Sequence, residues 1–209
     1  MLEGWISLMT TKSLIDYIRL RRSVRDFSDK PIDEKTIEEL LISAMHAPSP
    51  KNKQPWSFVV CSGTTKQKIS HVLDKVIHEK LDTNKEQTYL LMAKETAALI
   101  KQAPVFVLVC YDKNDMGYEN DGELWNIKSP QCECSDIQSI GACIQNLLLS
   151  AYNLGISSLW ICDILYAYDE IKKIINSDGT ILAGVLLGYS ESKQPPIPPR
   201  DFNKIKWLK

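Results

Sequence analysis

The stretch RLRRSVRDF, residues 19–27, crowds Arg19, Arg21, Arg22 and Arg25 around Ser23 in a chain whose formal net charge is only −1. Guanidinium groups pair bidentately with phosphate oxygens, and a serine hydroxyl adds a neutral donor, so the cluster suits an anionic ligand. For the arginines alone, a solvated basic turn is the simpler reading. A second stretch, HAPSPKNKQPWSFVV, residues 46–60, sets three prolines, a serine, an asparagine and a glutamine before Trp56 and an apolar run. Rigid prolines interleaved with short polar groups suit a ligand-facing loop, whereas a helix-terminating loop with incidental amides would need fewer of them. Trp56 itself reads as core.

These segments need elements to hold them. Leu14, Ile15 and Ile18 in TKSLIDYIRL recur at helical spacing, so a helix over residues 11–20 places the arginines at its end. Pro31, Asp33 as N-cap and the face Ile37, Leu40, Leu41 and Ala44 predict a second helix, stopped by Pro48 and Pro50. WSFVVCS reads as a strand, and residues 65–81 and 85–103 as helices. VFVLVCY, residues 105–111, is apolar throughout, as a strand covered on both faces would be, and so is predicted to be central. Residues 112–135 carry turn formers and acids without helical period, which reads either as a functional flap or as a partly mobile segment. An apolar helix over 136–155 follows, with Asp136 near its start and Gly155 as its stop; it is apolar enough for a core or dimer helix. ISSLWI, a short amphipathic helix in AYDEIKKIINS, and the strand TILAGVLLGYS complete the pattern. The tail from 193 to 209 holds four prolines in five residues, which removes backbone donors and favours an extended arm lying on another surface.

Bulk properties narrow the classes. With 209 residues, 44% apolar, the chain is large enough for one well-packed domain over 1–209. A balance of 25 basic and 26 acidic residues argues against general nucleic-acid or anionic-membrane binding. No apolar run approaches the length of a spanning helix, and MLEGWISLMT lacks a basic leader region, so a cytoplasmic location is expected. Six scattered cysteines read as reduced thiols, and Cys132 with Cys134 cannot complete a tetrahedral metal site, so no metal is expected. His46, His71 and His78 fall on predicted helices with solvent-compatible neighbours.

Four stretches in order, RRSVRDF, APSPKNKQPWSF, GACIQNLLLSAYNLGISSLWI and LLGYS followed by PPR, together resemble the FMN-dependent nitroreductase family over roughly residues 14–200. The resemblance implies an α+β fold: a three-layer α/β/α sandwich with a mixed, mainly antiparallel sheet and a C-terminal arm exchanged in a homodimer. It implies that Arg21, Arg22, Ser23 and Arg25 hold the FMN phosphate. Pro48, Ser49 and Pro50 would lie along the ring or ribityl region, with Asn52 contacting the cofactor across the dimer interface. Trp160, Ile161 and Cys162 match the turn whose backbone amide sits against flavin N5, although Cys162 replaces a frequent glycine. Arg200 matches a basic residue that closes over the phosphate, or is an exposed tail arginine.

No dinucleotide-binding fingerprint is present, since Gly184 and Gly188 lack its spacing and following helix. The resemblance therefore implies NADH or NADPH as a transient reductant in a ping-pong hydride transfer through flavin N5 to a nitroaromatic, quinone or related acceptor. No side chain is assigned a proton-transfer role. The alternatives are a specialised flavoenzyme, dehalogenase-like or flavin-fragmenting, and a low-turnover flavin-binding sensor or store. An adaptor gripping an acidic partner with the basic turn is the reading outside the flavoproteins.

Overall fold

The computed structural model describes residues 13–83, 87–112, 130–194 and 196–208. Much of the predicted flap at 112–135 and residues 11 and 12 of the first predicted helix lie outside them. The chain order is α1 (Leu14–Leu20), α2 (Glu34–Met45), β1 (Trp56–Cys61), α3 (Gly63–Thr83), α4 (Gln87–Gln102), β2 (Val105–Tyr111), α5 (Pro130–Asn153), β3 (Ser157–Ile161), α6 (Tyr168–Ile175) and β4 (Thr180–Gly188). Short 3₁₀ turns at Pro50–Asn52, Asp163–Ala167 and Phe202–Lys204 punctuate it.

Caps explain the boundaries. Ser13 and Asp16 form a reciprocal capping box on α1, and Asp33 accepts from the Thr36 amide at the start of α2. α5 ends in a Schellman motif: the Ile156 amide donates to Ala151 O at 2.8 Å and the Gly155 amide to Tyr152 O at 3.1 Å, with Gly155 at φ 71°. The start of α5 differs from the expectation. It begins at Pro130, six residues before Asp136, so Asp136 lies inside the helix and does not cap it.

The four strands form one sheet in the order β1-β2-β4-β3, every pairing antiparallel. Among the described residues, the parallel component expected for the sheet is confined to an isolated bridge between Ser23 and Ser158. β2 is interior, as its uniform apolarity predicts, and its side chains alternate strictly. Phe106, Leu108 and Cys110 enter a core with α3, α4 and α6, while Val105, Val107 and Val109 enter a second core with α2 and α5. Helices on both faces of a sheet make three layers, and the fold is α+β, as expected. Trp56 is buried in the second core. No helix among the described residues is long and apolar enough to cross a membrane.

Two glycines in β4 are required by close approach. A Cβ on Gly184 would lie 2.4 Å from the Phe106 ring, and one on Gly188 would lie 2.7 Å from Pro104 and 2.9 Å from Phe27. Gly188 thereby seats Phe27, the last residue of the arginine segment, against the end of the sheet.

Candidate functional site

α1 stops at Arg21, and the chain continues extended along the sheet. The Val24 amide donates to Ser158 O at 3.1 Å and the Ser28 amide to Tyr189 O at 2.7 Å. Main-chain bonds and the buried Val24 and Phe27 therefore fix the arginine turn between β3 and the end of β4. Lys30 stacks over the Tyr189 ring at 4.3 Å and holds the next turn to the same place.

The four arginines are not equivalent. Arg22 is buried and turns inward, donating from one guanidinium nitrogen to Arg19 O at 2.7 Å and to Arg21 O at 2.5 Å. It thus satisfies a carbonyl left open at the end of α1. Its Nε is buried with no partner among the described residues, and so is Ser158 Oγ on the adjoining strand. Arg21 is half-buried, and burial first, then the neighbouring Arg22 charge, holds its guanidinium below the ordinary pKa. Arg25 is exposed. No ion pair between these arginines and a carboxylate occurs among the described residues. A cationic turn with unpaired guanidinium groups and two orphaned buried polar atoms beside it is chemically suited to an oxyanion.

β3 carries the next part. Leu159 and Ile161 point into the core against α3 and α6, so Ile161 can meet a ligand through its backbone only. Trp160 stands on the opposite face, 40% exposed, and a side chain at Gly141 of α5 would come within 4.0 Å of its ring. Cys162 is exposed just beyond the strand. Partial burial pushes its thiol up, a hydrogen bond with the Trp160 side chain pulls it down, and the Asp163 charge raises it further. Asp163 also accepts from Thr96 Oγ1 at 2.6 Å, which ties this turn to α4. Four residue steps, about 13 Å in an extended chain, separate Ser158 beside the arginine turn from Cys162.

The proline loop carries the remaining expected residues. Ser49 Oγ accepts from the Gln54 amide at 3.0 Å and closes the loop on itself. Lys51, Asn52 and Gln54 all have positive φ, at 51°, 56° and 50°, a conformation that costs a non-glycine residue about 1–2 kcal/mol. Something must hold it, and the anchor is a cluster that sequence reasoning did not single out. Lys53 Nζ donates to Asp136 Oδ2 at 2.7 Å, and Tyr111 OH donates to the same oxygen at 3.0 Å. Asp136 is 1% exposed. Its partners lie 83 and 25 residues away, so no local pattern announces them. Pro48 and Asn52 are exposed, and Ser49 and Pro50 are half-buried.

Arg200 is not brought to the arginine turn within the single chain. It is exposed and donates to the carbonyls of Pro198 and Pro199, both at 3.3 Å. The arm does leave from beside that turn, because Ser192 Oγ donates to Asp26, which also accepts from Gln102 Nε2 at 3.4 Å. Among the described residues no group of histidines, cysteines and carboxylates could hold a metal ion.

Comparison with known proteins places the chain in a family. Residues 18–189 match the Nitroreductase family. A putative NADH dehydrogenase/NAD(P)H nitroreductase of Archaeoglobus fulgidus is 31% identical over 85% of this chain and 85% of its own length. One of the same description from Methanothermobacter thermautotrophicus is 26% identical over 76% of this chain but only 64% of its own. Among solved structures, a BluB-like flavoprotein from Clostridium difficile superposes with TM-score 0.73 at 28% identity, covering 95% of this chain and 100% of that one. The FMN-dependent nitroreductase NfnB from Mycobacterium smegmatis, solved with NADPH, superposes at 0.68 and 20% identity, covering 92% and 96%. The fold is the nitroreductase-type sandwich. The chain belongs to the nitroreductase family, a family of oxidoreductases.

Proposed function

We propose that this protein is an FMN-dependent oxidoreductase that takes reducing equivalents from NADH or NADPH and passes them to a nitroaromatic, quinone or related acceptor in a ping-pong cycle. The observation that carries the reading is the arginine turn: unpaired guanidinium groups and the orphaned Arg22 Nε and Ser158 Oγ gather at one end of β3, with Trp160 and Cys162 at the other. FMN supplies the hydride relay when bound. Arg21, Arg25 and Ser23 hold its phosphate by charge-assisted bonds, while the inward-turned Arg22 fixes the end of α1 and adds field. Pro48, Ser49, Pro50 and Asn52 line the ring side, and Trp160 with the backbone of Ile161 and Cys162 forms the opposite edge.

The working unit is a homodimer with its sites at the interface and residues 193–209 laid on the second subunit, where Arg200 closes over the phosphate. Supporting this, Leu14, Ile15 and Ile18 of α1 and Ile205, Trp207 and Leu208 of the arm are 51–83% exposed in the single chain, apolar side chains that a second subunit would cover. The Cys162 thiol, standing where the family often has glycine, favours one second reading, a more specialised flavoenzyme.

An anaerobic absorbance spectrum after adding FMN, then NADH, then NADPH, separates the readings. A bound flavin band that bleaches with either nucleotide is the expected result. A bound band that persists with both points to the specialised enzyme or to a flavin-binding sensor, and no bound band removes the flavin reading.

A further inference from the structure

We infer that Asp136 is a positioning residue for the flavin loop, acting through Lys53 and Tyr111; the inference rests on the flavin reading above. Lys53 directly follows Asn52, and the loop that carries both holds three non-glycine residues at positive φ. Such a backbone persists only where its surroundings over-determine it. The internal bond from the Gln54 amide to Ser49 Oγ closes the loop but does not orient it on the rest of the protein. Orientation comes from Asp136, whose Oδ2 receives both the Lys53 ammonium and the Tyr111 hydroxyl.

The charges make this anchor decisive. Asp136 is fully buried and the Lys53 side chain is 17% exposed, so the ion pair is shielded from water and from screening salt. Oδ1 is buried too and has no partner among the described residues, so the carboxylate relies on the two donors at Oδ2. Neutralising Asp136 leaves the partly buried Lys53 ammonium without a counter-charge, and the ammonium gains full hydration only if the loop swings outward. That movement carries Ser49, Pro50 and Asn52 away from the cofactor.

One helix also serves both walls. Gly141, five residues and about 7.5 Å along α5 from Asp136, underlies the Trp160 ring. α5 thus sets the separation between the proline loop and the β3 turn, and Asp136 registers the loop to it.

The test uses the full chain with Asp136→Asn, Tyr111→Phe and the double variant Asp136→Asn/Lys53→Met. Measured quantities are the FMN dissociation constant from quenching of flavin fluorescence, the visible spectrum of bound flavin, and tryptic cleavage in FMN-free protein after Lys51 in every variant, and after Lys53 where that residue is kept. Asp136→Asn is expected to raise the constant at least tenfold, shift the bound spectrum and speed cleavage in the loop, with Tyr111→Phe moving each in the same direction by severalfold. The double variant, which removes the unpaired ammonium but also the anchor, recovers part of the affinity, a non-additivity that simple loss of packing would not give. If Asp136→Asn fails to fold, Tyr111→Phe and the double variant decide. Wild-type protein that takes up no FMN overturns this inference together with the flavin reading. Wild-type binding with unchanged constants and cleavage in the folded variants, or no recovery in the double variant, overturns this inference alone.

Discussion

The arginine turn and the proline loop are held by different forces. The turn is fixed by its main chain, through amides donating to Ser158 O and Tyr189 O, and by Phe27 against Gly188. The side chains of Arg21, Ser23 and Arg25 take no part in that anchoring, and the proposed phosphate site uses them. The loop is fixed by its side chains, through Ser49 Oγ inside and the Lys53–Asp136 pair outside, while its backbone is strained. A segment that must present side chains is anchored by backbone and apolar packing, whereas one that presents a shaped backbone is anchored by a buried charge. The first anchor is insensitive to charge, and the second depends on it.

That contrast can be broken one anchor at a time. Phe27→Ala removes a buried aromatic and should cost about 3–5 kcal/mol in urea-unfolding experiments. In the folded fraction tryptic cleavage should rise after Arg21, Arg22 and Arg25 but not after Lys51 or Lys53; equal loosening of both segments would show that they share one anchor. Arg21→Ala should weaken FMN binding by about 1.5–3 kcal/mol in a fluorescence titration while leaving unfolding nearly unchanged. Unaltered affinity would put the phosphate elsewhere. Gly188→Ala forces a methyl group against Pro104 and Phe27 and should cost about 1–3 kcal/mol of stability. Affinity should fall with it, because the turn is displaced. Gln54→Gly is the mildest change. It relieves a positive φ but adds chain entropy to the unfolded state, so stability should rise by less than about 1 kcal/mol. A clear loss would mean that the Gln54 side chain, and not backbone strain, shapes the loop.

Much of the architecture was legible before the fold was seen. Asp33 caps α2, VFVLVCY is an interior strand, Gly155 ends α5, and Trp56 is core. Each follows from a pattern that lies within a few residues. The start of α5 was missed because Pro130 to Ser135 shows turn formers and cysteines without a helical face, and only the structure continues the helix through them. The arginines were legible as a cluster but not as individuals: the inward turn of Arg22 depends on the carbonyls of Arg19 and Arg21 being unfilled at the end of α1.

The sequence by itself determined the elements, the family and the cationic character of the turn, because periodicity, capping and motif order are written in neighbouring residues. Tertiary structure alone decided that Lys53 meets Asp136 across 83 residues, that Gly141 lies beneath Trp160, that Ile161 faces the core, and that Arg200 stays with its own arm in the single chain. The physical reason is distance along the chain. A buried charge pair or a close glycine contact takes its energy from groups that share no local pattern, so neither exists until the sheet and helices have brought them together.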